Sequence, residues 1–120
     1  MRKVIISKEV VKNIEKFDGR EKQWISAVIR YLENEENSIE LIKQKFEALG
    51  KELKGYYKAK HRGFKIRCVF KILNEFEIAV YIEKSHLDPL IDEIIQLVAV
   101  GKRDFIYELA SKRVKFKEKE

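Results

Sequence analysis

Cysteine is almost absent from this chain: Cys68 is the only one in 120 residues, and neither histidine stands at metal-ligand spacing from it. A disulfide framework and a zinc site both lose their footing. In its alternating surroundings Cys68 reads as a small core residue. Proline is as scarce, with Pro89 alone, and there is no internal repeat and no low-complexity linker. No apolar run approaches the roughly 20 residues that cross a bilayer, and the apolar part of MRKVIISKEVV is too short for a secretory signal. The expectation is a cytoplasmic protein without a membrane partner. Paired histidines and metal-binding carboxylate motifs, the usual equipment for hydrolysing phosphodiesters, are missing too.

What the chain has is a core and a localised charge. With 45% hydrophobic and 38% charged residues, it can build one domain with one core and is too short for two ordinary ones. The net charge of +6 is unevenly placed. Residues 51 to 71 carry eight Lys and Arg against one acid, residues 72 to 100 carry one against six, and residues 1 to 50 carry ten against nine. Such a local field attracts phosphate chains, whose condensed counterions Lys and Arg displace. Nucleic acid, a ribosome or an acidic protein all fit that charge.

Hydrophobic periodicity orders the rest. Arg2 to Ile6 reads as a strand, and Ser7 as the N-cap of a helix with Val10, Val11, Ile14 and Phe17 on one face, ended by Asp18-Gly19. Trp24, Ala27, Val28, Tyr31 and Leu32 form the stripe of a second helix and are expected in the core. Asn37, with Glu40 three residues on, is placed to cap a third helix carrying Ile39, Ile42, Phe46 and Leu49 and stopped by Gly50. From Leu53 the period becomes two. Lys58 and Lys60 then share a face, as do Lys65 and Arg67 across a turn at Arg62-Gly63. Phe64, Ile66, Cys68, Phe70 and Ile72 alternate with Lys65, Arg67, Val69 and Lys71, which predicts helices beneath one face and a basic plate looking outward. Phe76, Ile78, Val80 and Ile82 repeat the alternation, Ile94 to Val100 suits a central strand closed by Gly101, and Arg103 to Ser111 reads as a helix.

Two segments together resemble the RelE/ParE superfamily of toxins from type II toxin-antitoxin modules, and more closely its RelE-like mRNA endonuclease branch. LKGYYKAKHRGFKIRCVF at 53 to 70 is similar to the family's Leu-(Lys/Arg)-Gly, Tyr-Lys-x-Lys and Gly-(aromatic)-Arg strand pair. LVAVGKRDFIYELASKR at 97 to 113 is similar to its closing strand, Gly-Lys-Arg turn and Tyr-bearing helix. The resemblance implies an α+β fold: N-terminal helices on one face of a small antiparallel sheet, mixed at one edge, with a C-terminal helix and the other face turned to RNA. It implies one domain over residues 1–113, interrupted by an insertion at 74–93 that adds a strand or a flap, and a charged tail at 114–120.

By the same resemblance the catalytic set is Lys58, Lys60, Arg103 and Tyr107, and Arg62, Lys65, Arg67, Lys54 and Lys102 contact RNA or phosphate. No metal and no cofactor is implied. Lys65 stands where the family has arginine, keeping the charge but losing the bidentate fork; Arg67 is its nearest substitute. Cleavage through the RNA 2′-hydroxyl needs a base, charge stabilisation and help for the leaving 5′-oxygen. Lys58 or Lys60, its ammonium disfavoured by neighbouring cations, fits the base; Arg103 fits the stabiliser, and Tyr107 the orienting group. The implied activity is that of a toxin cleaving mRNA on the ribosome, with a cognate antitoxin as hetero-oligomeric partner. Two alternatives stay open: a ParE-like toxin that inhibits DNA gyrase without catalysis, and a catalytically silent RNA-binding relative. Ser85, His86 and Asp88 lie too close together for an ordinary triad, and His61 at the turn is as well read as an exposed residue.

Overall fold

The computed structural model describes residues 1–103, 106, 110, 112 and 113. Strand β1 (Arg2–Ile6) leads into helix α1 (Lys8–Glu15), whose first turn is closed by Ser7 accepting from the Val10 N–H at 3.3 Å. Val10 is buried and Ile14 and Phe17 are half-buried, but Val11 is exposed. Asp18 opens a helix instead of ending one. Its carboxylate accepts from the Glu21 N–H at 2.9 Å while Glu21 accepts from the Asp18 N–H at 3.0 Å, a reciprocal cap that starts α2 (Gly19–Glu33). The buried line of α2 is Ile25, Val28 and Leu32, so the stripe is turned from the expected one: Trp24 and Tyr31 flank the core and Ala27 is exposed.

Helix α3 (Ile39–Lys45) is capped by Ser38, which accepts from Leu41, while Asn37 donates its side-chain amide to the Tyr31 carbonyl. It stops earlier than the apolar spacing predicts. Phe46 is already extended, and Glu47–Ala48 form a two-residue strand, β2. Gly50 therefore caps the short 3₁₀ turn Lys51–Leu53 and not α3. Strand pairing outside the helix outweighs the local spacing that would have continued it.

Strands β3 (Tyr56–His61), β4 (Ile66–Ile72) and β5 (Glu93–Lys102) complete a five-stranded sheet of order β1-β5-β4-β3-β2, in which β1 runs parallel to β5 and the other pairs are antiparallel. This is the expected α+β architecture with one mixed edge. Helices α1 to α3 cover one face, burying Ile66, Cys68 and Phe70 of β4 with Leu97 and Val100 of β5. Dehydration there pushes the Cys68 thiol up to about 12, a core residue as expected. The parallel edge is locked by Arg2, whose Nε meets Glu93 at 3.0 Å and whose Nη1 donates to the carbonyls of Leu32 and Asn34 at 3.0 and 2.8 Å.

The opposite face departs from the basic plate. Val69 and Arg67 are buried, and a second apolar cluster joins Leu53, Tyr56, Val69, Val98 and Ala99 to Ile106 and Ala110. Ile106, Ala110, Lys112 and Arg113 have helical backbone, in keeping with the C-terminal helix; Tyr107 and the tail at 114–120 lie outside the described residues. Arg113 anchors this segment by donating to the Val98 carbonyl at 2.6 Å and to Asn13 Oδ1 at 2.8 Å. The central strand is thus buried on both sides, because a β4 sandwiched between layers gains apolar burial on each.

The 74–93 segment corrects a further reading. Its alternation predicts a strand, yet residues Glu75–Ser85 form helix α4, started by a reciprocal cap between Asn74 and Glu77. Ile78, Tyr81 and Ile82 are also spaced for a helix, and the cap decides between the two periods. No residue of α4 is buried, and Phe76 is 77% exposed. Beyond it Asp92 holds the Met1 ammonium at 2.9 Å. No helix among the described residues is long and apolar enough to cross a membrane.

Candidate functional site

The β3–β4 register places the expected cations on known faces. Tyr57, Ala59 and His61 pair with Phe70, Cys68 and Ile66 on the helix-covered side, while Lys58 and Lys60 pair with Val69 and Arg67 on the other. Lys58 and Lys60 are therefore brought together, with Arg67 directly opposite Lys60. Lys60 is exposed and Lys58 half-buried. Arg67 is only 8% exposed, with Nη1 on the Ile66 carbonyl at 3.0 Å. Its guanidinium is packed into the protein, not spread on an open plate.

Lys65 does not continue the strand. Residues 62 to 65 form the turn, and Lys65 sits in the left-handed region at φ 57°, so the two-residue period that would have put it beside Arg67 ends at Ile66. The turn is fixed by the ring of His61: Nδ1 accepts from the Phe64 N–H at 3.0 Å, and the imidazole stacks on Phe64 at 4.2 Å between centroids. Arg103 approaches the same turn, donating its N–H to the Lys65 carbonyl at 2.8 Å. Arg62, Lys65 and Arg103 are all exposed and cluster at this end of the sheet.

Two other expected contacts are placed elsewhere. Lys102 pairs with Ile66 on the helix-covered side, where its Nζ meets Glu21 at 2.6 Å and the Phe64 carbonyl at 3.0 Å. That hydrogen bond is the main cause of a lowered Glu21 pKa. Lys54 lies at the far end of β3, lining a separate hollow with Lys43, Tyr57 and Lys71. Lys71 itself is ion-paired with Glu77 and lies over the Tyr56 ring at 5.4 Å.

One residue of the site escapes the sequence reading. Glu47, in β2, pairs with Lys58 across the ladder and sets its carboxylate 3.4 Å from Lys58 Nζ and 3.6 Å from Lys60 Nζ. The Lys58 hydrogen bond, and then its charge, hold the Glu47 carboxyl below the usual range. The environment of the lysine pair is thus not purely cationic, as the sequence suggests, but contains one ionised carboxylate. The signal that could have found it is Glu47-Ala48 standing between a helix and a turn, too short a strand for periodicity to register.

Around this point opens a groove of about 680 Å³ between α2, the end of α3 and the edge of β3, lined by Trp24, Tyr31, Lys45, Phe46, Glu47, Lys58 and Lys60 among others. Chemically the site offers two ammoniums already arranged about one anion, exposed guanidiniums at the neighbouring turn, and an open approach. Such an arrangement suits a phosphodiester, whose oxygens can take the place of the carboxylate.

No family model matches the chain, and no curated protein matches it. Among solved structures it is similar to the toxin-antitoxin complex RelBE2 from Mycobacterium tuberculosis, at 16% sequence identity and a TM-score of 0.49, over 85% of this chain and 95% of that one.

Proposed function

We propose that this protein is a RelE-like toxin that cleaves mRNA on the ribosome and is held in check by a cognate antitoxin. The observation that carries the reading is the side-by-side placement of Lys58 and Lys60 about a single anion, in the segment whose Tyr-Lys-x-Lys pattern resembles the nuclease branch. RNA binding replaces Glu47 by the scissile phosphate between the two ammoniums, which then offset the charge that grows on the phosphorane-like transition state. Arg103, exposed beside the turn, stabilises the charge on the departing 5′-oxygen, which takes its proton from water; arginine stays protonated, so its part is electrostatic. Tyr107 keeps the orienting role that its motif implies. Two groups can take the 2′-hydroxyl proton: one lysine of the pair, which is then neutral beforehand and leaves the other as the ammonium that offsets charge, or the carboxylate of Glu47 with both lysines charged; Glu47→Gln separates them.

The test is a reconstituted translation reaction with mRNA 5′ ends mapped by primer extension, run for the wild type, for Lys58→Ala with Arg103→Ala, and without ribosomes. New ends are expected with wild type and ribosomes only, falling by about 10²-fold or more in the double variant. A folded protein that arrests growth without cutting mRNA would instead favour the gyrase-directed alternative, and one that does neither, the silent RNA-binding module. Neutralisation of growth arrest by a co-expressed acidic partner supports the antitoxin; failure of every neighbouring gene product to bind would remove it.

A further inference from the structure

The groove beside the lysine pair is larger than a phosphate needs, and its far wall is aromatic. Trp24 and Tyr31 stand two turns apart on the same side of α2, so both rings reach the groove from one helix. Each is half-buried, flanking the core instead of filling it. Trp24 is held by an edge contact with His61 at 5.4 Å and Tyr31 by one with Phe46 at 5.7 Å. The exposed Lys45, at the end of α3, sets its Nζ 4.9 Å from the Tyr31 ring centre. Lys58 and Lys60, at the edge of β3, line the same groove from the strand side, their side chains leaving the sheet on the face away from α2.

Aromatic faces interleaved with ammoniums are what a single-stranded nucleic acid needs: bases stack on rings and phosphates meet cations. We propose that this groove is a nucleotide subsite, in which a base next to the phosphate held by Lys58 and Lys60 stacks on Trp24 while Lys45 takes the adjoining phosphate. The proposal rests on the RNA-directed reading of the lysine pair and extends it to a second contact that neither the lysines nor the turn arginines supply. Its volume of about 680 Å³ lies within the roughly 300–1,000 Å³ usual for small-ligand sites. An extended acidic peptide could satisfy the three lysines, but it would make no use of the part of the half-buried Trp24 that lines the groove. The combination of rings and cations therefore favours RNA.

Trp24 is the only tryptophan of the chain, so its fluorescence reports directly on the groove. The experiment titrates the intact protein with a short single-stranded RNA bearing 2′-O-methyl groups, which cannot be cleaved, beside an abasic backbone of the same length and an oligoglutamate peptide. Saturable quenching by the RNA is expected, with little by either control. Lys45→Ala, at an exposed position that leaves the core intact, is expected to weaken RNA binding about fivefold. Equal quenching by the abasic chain would overturn stacking. Stronger binding of the peptide would make the groove a protein site, and an unchanged affinity of Lys45→Ala would remove that lysine and the placement built on it. Because the probe is not cleaved, quenching without nuclease activity in translation would sink the proposed function but keep the subsite, and nuclease activity without quenching would do the reverse.

Discussion

The two faces of the sheet solve opposite problems with the same strands. Under α1 to α3, β4 contributes Ile66, Cys68 and Phe70 to a continuous apolar core. On the other side the same strand contributes Arg67 and Val69, both buried, and among the described residues Ile106 and Ala110 help to cover Val69. The first face buys stability; the second is divided between a small apolar patch and a charged margin formed by Lys58, Lys60 and Glu47. A strand can serve both because its side chains alternate. The lesson is that an alternation of apolar and cationic residues does not by itself describe an open basic surface. Where a neighbouring helix supplies apolar residues, the centre of the cationic face is dry, and the exposed cations are left at its edge.

The largest break in this comparison comes from its apolar side. Phe70 is fully buried, stacked on Tyr57 and edge-on to Phe46, so Phe70→Ala is expected to cost about 3–5 kcal/mol in urea denaturation. Val69→Ala, on the smaller cluster, is expected to cost roughly 2 kcal/mol. Equal losses would mean that both faces are cores of the same quality.

A second, smaller contrast separates lysines that look alike in sequence. Both Lys60 and Lys102 are exposed and ion-paired, but Lys60 stands 3.6 Å from the exposed Glu47, whereas Lys102 is held at 2.6 Å by Glu21, whose carboxylate is largely covered. In binding to uncleavable RNA at several salt concentrations, Lys60→Ala is expected to lower affinity a few-fold and the salt slope by about one, and Lys102→Ala to leave the slope unchanged. A loss of slope with Lys102→Ala would show that the Glu21 pair opens to reach phosphate.

The smallest effect concerns pH. The folded-state pKa of Glu47 is depressed, so its contribution to stability is present above the unfolded-state value and is lost as pH falls through the folded-state value. Thermal melts on the acid side of the ordinary glutamate range are therefore expected to converge for wild type and Glu47→Gln, with the wild type slightly ahead near neutrality. Because Glu47 is exposed, the difference is small; a gap that widened on acidification would contradict the sign.

Much of the fold was legible because it is local. Ser7 as a cap, β1, the amphipathic character of α2, the alternating hairpin and the interior strand β5 all follow from residues within a few positions of one another. Misreadings arose where two local codes compete. Asp18 with Glu21, and Asn74 with Glu77, are reciprocal caps overlooked beside a plausible helix end and a plausible alternation. The site was legible in part: alternation alone puts Lys58 and Lys60 on one face, and the same argument fails for Lys65, whose left-handed turn conformation ends the strand.

The sequence by itself determined the elements, the concentration of positive charge in residues 51 to 71 and the pairing of two lysines on one strand face, since each depends on spacing along a few residues. Only the tertiary structure decided that Glu47 stands between those lysines, that Lys102 turns to Glu21, that Arg67 is buried, and that Trp24 and Tyr31 line a groove beside the basic margin. These are contacts between elements distant in the chain, fixed by strand register and by which face a helix covers. Neither quantity is encoded in the spacing of any single segment.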